Sequence, residues 1–143
     1  MNTVSIVIPS WNAKVHLLAC LSSIASFPPR ATVEIIVVDN ASTDGSPEAV
    51  ARLYPAVRLI RNASNVGFAP AANQGLREAT GSYLFLVNSD VVVTEGSFDV
   101  LMKFLDSTPR VALAGPLVCR PDGSIQENSR RRLPTLRRDF LQA

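Results

Sequence analysis

Four short apolar runs, rich in β-branched and aromatic residues, are spaced along the chain with helix-patterned segments between them. Residues 3–8 read Thr-Val-Ser-Ile-Val-Ile, 33–38 Val-Glu-Ile-Ile-Val-Val, 57–60 Val-Arg-Leu-Ile and 83–87 Tyr-Leu-Phe-Leu-Val. Runs of this length and composition read as strands, and the nearly unbroken ones as strands covered on both faces. The intervening segments carry apolar residues at helical spacing, as in Leu17, Leu18, Leu21, Ile24 and Ala25. Strand and helix therefore alternate at least four times. That pattern predicts an α/β fold: an open, mostly parallel sheet with right-handed crossovers and helices on both faces.

Local signals refine the boundaries. Pro9 ends the first strand, Asn12 is placed to cap a helix over 13–26, and Pro28-Pro29 stops it. Ser46-Pro47 opens a second helix, and Pro70 lies at the start of a third, which runs through residues 71–79. Phe98, Leu101, Met102 and Leu105 mark a fourth over 97–106. A further strand is expected at 111–114, and a hairpin of 117–119 with 124–126 around the Pro121-Asp122-Gly123 turn.

A chain of 143 residues suggests one domain and is long enough to bury a core. Its 47% hydrophobic and 18% charged content excludes a disordered chain. The formal net charge of +2 is uneven. Six arginines against three acids give +3 from Arg120 onward, leaving −1 on the body, which is not the profile of a nucleic-acid-binding domain. Cys20 and Cys119 have no metal-ligand spacing and read as buried thiols. No signal peptide or membrane-length apolar run is present, which points to the cytoplasm. Asn40-Ala41-Ser42 and Asn62-Ala63-Ser64 are read as chance glycosylation sequons.

Three polar clusters follow apolar strands: residues 9–12, 39–44 and 88–90. In a parallel sheet the carboxyl ends of the strands share one edge, and ligands bind there. Asp90, in Asn88-Ser89-Asp90, is thus a carboxylate at the edge where such folds do chemistry, although the triplet is also an ordinary turn sequence. The chain has no Rossmann glycine fingerprint, P-loop or nucleophile elbow. His16 reads as a helix-surface residue. What remains is carboxylate and amide chemistry. Asp39 can accept hydrogen bonds from the N–H groups of a flat heterocycle, and Asp90 can hold a hard divalent cation that also binds phosphates. A nucleoside diphosphate needs both.

On these residues the chain resembles the amino-terminal half of a family 2 glycosyltransferase of the GT-A fold. Val4-Ser5-Ile6-Val7-Ile8-Pro9-Ser10-Trp11-Asn12 is similar to the opening strand and loop, and residues 35–44 to the second strand and nucleotide loop. Asn65-Val66-Gly67-Phe68 with Asn73-Gln74-Gly75 resembles the next motif, and Asn88-Ser89-Asp90 stands in the place of the Asp-x-Asp motif. Asp122-Gly123-Ser124-Ile125-Gln126, with the arginines and Pro134 beyond it, looks like the rhamnosyltransferase-like branch.

The resemblance implies a nucleotide site built from Pro9, Ser10, Trp11, Asn12, Asp39, Asn65, Gly67, Asn73 and Asn88, with Asp90 on a Mg²⁺ or Mn²⁺ ion. Asp39 would bind the base. Trp11 would cover it or, equally, fill the core. Because Asn88 replaces the first acid of the motif, only one carboxylate remains for the metal.

The implied reaction is inverting, metal-dependent transfer of a sugar from a dTDP- or UDP-linked donor to the hydroxyl of a saccharide or lipid-linked acceptor, as in polysaccharide biosynthesis. The implied location is the cytoplasm, at the inner face of the membrane. Residues 1–126 form the donor-binding domain in this reading. Residues 127–143 are an Arg-rich tail leading toward an acceptor-binding half, and the sheet is incomplete. The catalytic base would lie outside the chain, and uncovered apolar surface would favour a homo-oligomer. The alternative is a non-catalytic nucleotide-binding α/β domain or fragment.

Overall fold

The computed structural model describes residues 3–120 and 122–126. Pro121 and the Arg-rich segment 127–143 lie outside the described residues. The elements in order are β1 (Thr3–Ser10), α1 (Lys14–Ser26), β2 (Thr32–Asp39), α2 (Ser46–Leu53), β3 (Arg58–Arg61), α3 (Phe68–Glu78), β4 (Tyr83–Leu86) and α4 (Ser97–Ser107). All strand pairings in the sheet are parallel, in the order β3-β2-β1-β4.

That order fixes where the helices go. The chain steps from β1 to β2 to β3 in one direction, then jumps back past β1 to reach β4. Right-handed crossovers place helices on one face for the first direction and on the other face for the return. Accordingly, α1 (Leu17, Cys20, Leu21, Ile24), α2 (Val50) and α4 (Phe98) pack over Val4, Ile6, Ile8 and Val37. The opposite face joins Val7, Ile36 and Val38 to Ala71 of α3. The alternation along β1 and β2 explains why both strands are almost wholly apolar. Each fully buried Ile or Val side chain contributes about 1.5–3 kcal/mol.

Gly75 lets α3 lie close on its face. A Cβ there would sit 2.4 Å from Val7 Cγ1 and 3.0 Å from Val38 Cγ2. At the amino ends of the strands, the Ser5 hydroxyl donates to Glu34 and accepts from the Gly81 N–H, and Glu34 also accepts from the Thr80 N–H. This network pins the entry to β4 against β1 and β2.

The fold confirms the parallel α/β architecture with helices on both faces. Local readings are corrected in three places. Residues 111–114 form no strand: Val111 donates back to Thr108 O in a turn, and the Ala- and Gly-rich sequence around it is poor in strand formers. Cys119 is exposed, not buried: the expected hairpin forms as a short antiparallel bridge of Cys119 with Ile125, with the Arg120 N–H donating to Ser124 O and the Gln126 N–H to Val118 O, and its apolar neighbours do not cover the thiol. Asn12 does not cap α1. It sits one residue too early, at φ 48°, and the carboxylate of Asp44 accepts from the Lys14 N–H instead.

Candidate functional site

The strand order reverses between β1 and β4, and in open α/β sheets this switch point is where a crevice opens outside the carboxyl ends of the strands. A cleft of about 610 Å³ occupies that place. The end of β1 and its loop supply Pro9, Ser10 and Trp11, and α1 supplies Ala13 and His16. Asn40 follows β2, Asn65, Gly67 and Phe68 belong to the segment entering α3, and Asn88, Ser89 and Asp90 follow β4.

Each wall is held by contacts that run across the sequence. The Asn12 side-chain oxygen accepts from the Thr43 N–H, and the Asn12 N–H donates to Ser42 Oγ, so the loops after β1 and β2 are stapled together. Asn62 Nδ2 donates to Asn40 Oδ1, and Asn40 Nδ2 donates to Gly67 O, which fixes the 62–67 loop against the end of β2. On the opposite wall, the Cys20 thiol points at Asn88 O from α1, and the Ser23 hydroxyl accepts from the Val93 N–H. Helix α1 therefore carries the segment that ends in Asp90. Burial, reinforced by the charge of Asp90, pushes the Cys20 thiol up to about 11, so it stays a neutral thiol. Asp44 is pushed up by burial but held below the usual carboxylate range by hydrogen bonds from Ser46 and the Lys14 N–H, which keeps it an ionised brace.

Two buried oxygens at the paired carboxyl ends of β1 and β2 lack partners. Ser10 and Asp39 are 4% and 3% exposed, yet Ser10 Oγ and Asp39 Oδ1 make no hydrogen bond among the described residues. Asp39 Oδ2 accepts from the Ser42 N–H. A buried carboxylate oxygen without a donor costs free energy that a ligand N–H or O–H would recover. Ala41, next along, is held at φ 62°, a left-handed conformation that costs a non-glycine residue about 1–3 kcal/mol.

Of the residues singled out in the sequence, Pro9, Ser10, Trp11, Asn65, Gly67, Asn88 and Asp90 come together on the cleft wall. Trp11 is 56% exposed, so its ring is a cleft wall and not a core residue. Asn12, Asp39 and Asn73 are not on that wall. Asn12 is the loop staple, Asp39 lies beneath the floor between Ser10 and Asn40, and Asn73 faces solvent on α3. Asn40, Phe68 and His16 line the cleft without having been picked out. The signals were the place of Asn40 directly after Asp39 and that of Phe68 at the end of the Asn65-Val66-Gly67-Phe68 motif; His16 carried none that separates it from other surface residues.

Among the described residues no group of three or more His, Cys, Asp or Glu side chains is arranged to hold a metal ion. Asp90 and Asn88 do offer hard oxygen donors on one wall, which suit a divalent cation whose remaining ligands come from water and a diphosphate. No described helix is long and apolar enough to cross a membrane.

Comparison with known proteins agrees with this geometry. The model of the family described as Glycosyl transferase family 2 matches residues 5–142. An N-acetylglucosaminyl-diphospho-decaprenol L-rhamnosyltransferase of Mycobacterium tuberculosis is 32% identical, over 96% of this chain and 48% of that protein. The chain thus spans about half the length of this relative, and 30% of an uncharacterized glycosyltransferase, YibD, of Escherichia coli that is 36% identical to it. Among solved structures, a mannosyltransferase from Pyrobaculum calidifontis in complex with GDP-Man and Mn²⁺ superposes with a TM-score of 0.69 at 30% identity, covering 83% of this chain and 36% of that one. Staphylococcus aureus TarS 1–349 in complex with UDP superposes at 0.66 and 24% identity over 73% of this chain and 32% of that one, a likeness of fold.

Proposed function

The chain belongs to glycosyl transferase family 2, and from that premise we propose that its cleft binds the nucleoside diphosphate of a sugar donor for inverting transfer to an acceptor hydroxyl. The observation that carries this reading is the pair of unpartnered buried oxygens, Ser10 Oγ on the lining of the cleft and Asp39 Oδ1 of its register partner, in a cleft that has a lone carboxylate among its described lining residues. In this reading Asp39 accepts from the N–H of a pyrimidine base, Trp11 covers the base, and the Asn40–Gly67 contact holds the ribose side of the pocket. The diphosphate extends across the switch point toward Asn88 and Asp90.

The residues fit a bound Mg²⁺ or Mn²⁺, with Asp90 as its protein carboxylate and Asn88 as an amide oxygen beside it. Such an ion neutralises charge on a departing diphosphate. The chain's own groups orient the donor. Ser10 and Asp39 fix the base end, and α1 holds the Asn88–Asp90 segment in place through Cys20 and Ser23. The rhamnosyltransferase among the relatives supports a lipid-linked saccharide as acceptor and a deoxysugar donor, and hence work at a membrane face.

The test is calorimetry with UDP, dTDP and GDP, each with Mn²⁺ and with EDTA. Saturable binding of a pyrimidine diphosphate, tightened by Mn²⁺, is the expected result. No binding of any of the three would overturn the reading in favour of a non-nucleotide role for the domain.

A further inference from the structure

Resting on the nucleotide reading above, we propose that His16 is a direct contact of the donor's diphosphate, and that it carries the part of nucleotide binding that needs no metal. The argument starts from charge. A nucleoside diphosphate brings at least two negative charges into the cleft, yet among the described residues no lysine or arginine lines it. Several described basic side chains are engaged elsewhere. Lys14, two residues before His16 on α1, lines a separate depression with Gly45, Glu48 and Arg52. Arg61 pairs with Glu48, Arg58 with Glu78, and Arg30 with Asp99.

Among the described residues, the titratable groups on the cleft wall are His16 and Asp90. Asp90 is an acceptor with a negative charge, so without a metal it repels a diphosphate. His16 is exposed, and its imidazole makes no hydrogen bond or ion pair among the described residues. It carries at least one N–H donor in either protonation state. It stands on the first turn of α1 and lines the same cleft as Trp11 and the Asn88–Asp90 segment, the cleft a diphosphate must cross between a base at Asp39 and a sugar near Asp90 in that reading.

The replacement of an acid by Asn88 makes this arrangement coherent. With one carboxylate instead of two, the wall repels phosphate less, and one donor side chain suffices to hold it. Loss of metal affinity and gain of a direct phosphate contact then offset each other.

The experiment is calorimetry of the full chain with UDP, dTDP and uridine, in EDTA and in Mn²⁺, for the native protein, His16→Ala and His16→Gln. The expected result is a loss of UDP and dTDP affinity in EDTA of at least about tenfold for His16→Ala, a smaller loss in Mn²⁺, partial recovery by His16→Gln, and no change for uridine. Equal UDP affinity of the native protein and His16→Ala in EDTA would overturn the proposal, as would an equal loss for uridine, which lacks the diphosphate. Native protein that binds UDP or dTDP only with Mn²⁺ would overturn it while leaving the nucleotide reading standing. Native protein that binds neither under any condition would overturn both. His16 is exposed, so both variants are expected to melt as the native protein does.

Discussion

Ser10 and Asp39 are the last register pair of β1 and β2, and each presents a buried side-chain oxygen with no partner among the described residues. Two adjacent strands thus end in unmet acceptor capacity at the same point of the sheet edge. A fold gains nothing from this arrangement, since an unsatisfied buried polar atom is a cost. In the proposed reading, a ligand supplies the missing partners.

Asp39→Asn is therefore expected to separate stability from binding. The amide keeps an acceptor for the Ser42 N–H, so the melting temperature should hold. Nucleotide affinity should fall by roughly 1.5–3 kcal/mol, the worth of a charge-assisted hydrogen bond. Calorimetry paired with thermal melts reads both, and a variant that binds UDP and dTDP as tightly as the native protein would remove Asp39 from the base site.

Asp90→Asn is expected to abolish the tightening of nucleotide binding by Mn²⁺ and to leave binding in EDTA unchanged or improved, because it removes a negative charge from the wall facing the diphosphate. Titrations of UDP with and without Mn²⁺ measure this. Persistence of the full metal effect in the variant would move the ion to other ligands.

The strands were legible because their apolar, β-branched runs leave few alternatives, and the convergence of three polar clusters at one edge followed from parallel pairing. The strand order was not legible, since nothing local tells β4 to pair with β1 instead of β3. The cap of α1 was misplaced for a related reason. Asp44, far along the chain, takes the role that Asn12 holds the right residue type for, and such long-range substitution leaves no mark on a local pattern. His16 was rightly placed on a helix surface, but that surface is a cleft wall only once α1 has packed beside β4.

Gly75→Ala tests the α3 face. The added methyl would meet Val7 at 2.4 Å, so α3 must shift away from β1 and β2. Better helix propensity returns up to about 1 kcal/mol, but overpacking costs about 1–3 kcal/mol, and the net is expected to be destabilising. Urea denaturation would show it; a variant as stable as the native protein would mean that α3 does not sit this close.

Acid sensitivity should reside partly in Glu34. The Ser5 hydroxyl, and after it the Thr80 donors and Arg58, hold its carboxyl below the ordinary carboxylate range in the folded protein. A depressed folded-state pKa gives stability that is present above the unfolded value, about 4.3, and is lost as pH falls through the folded one. Glu34→Gln is therefore expected to be less stable than the native protein at pH 7 and to lose less on acidification below about pH 4.5. Parallel denaturation curves for the two proteins across that range would refute the assignment.

The last expectation concerns turnover. Inverting transfer needs a carboxylate or similar base to take the acceptor proton. After Asp90 the described acids are Glu95, Asp99, Asp106 and Asp122, and none lines the cleft. Asp99 accepts from the Arg30 N–H, Asp106 accepts from the Tyr83 hydroxyl, Asp122 accepts from the Ser124 N–H, and Glu95 is exposed ahead of α4. The Asp106 contact holds the Tyr83 hydroxyl above its usual range, so the tyrosine is no base either. Asp90 itself, when it serves the metal, is not free to take a proton. The described residues are therefore expected to bind donor nucleotides without supplying the base for transfer. Release of nucleoside diphosphate from a panel of sugar nucleotides, with and without lipid-linked and saccharide acceptors, measures this. Acceptor-dependent turnover at about 1 per second or faster, in the ordinary range of enzymes, that survives Glu127→Gln and Asp139→Asn would show that the described residues already contain the base.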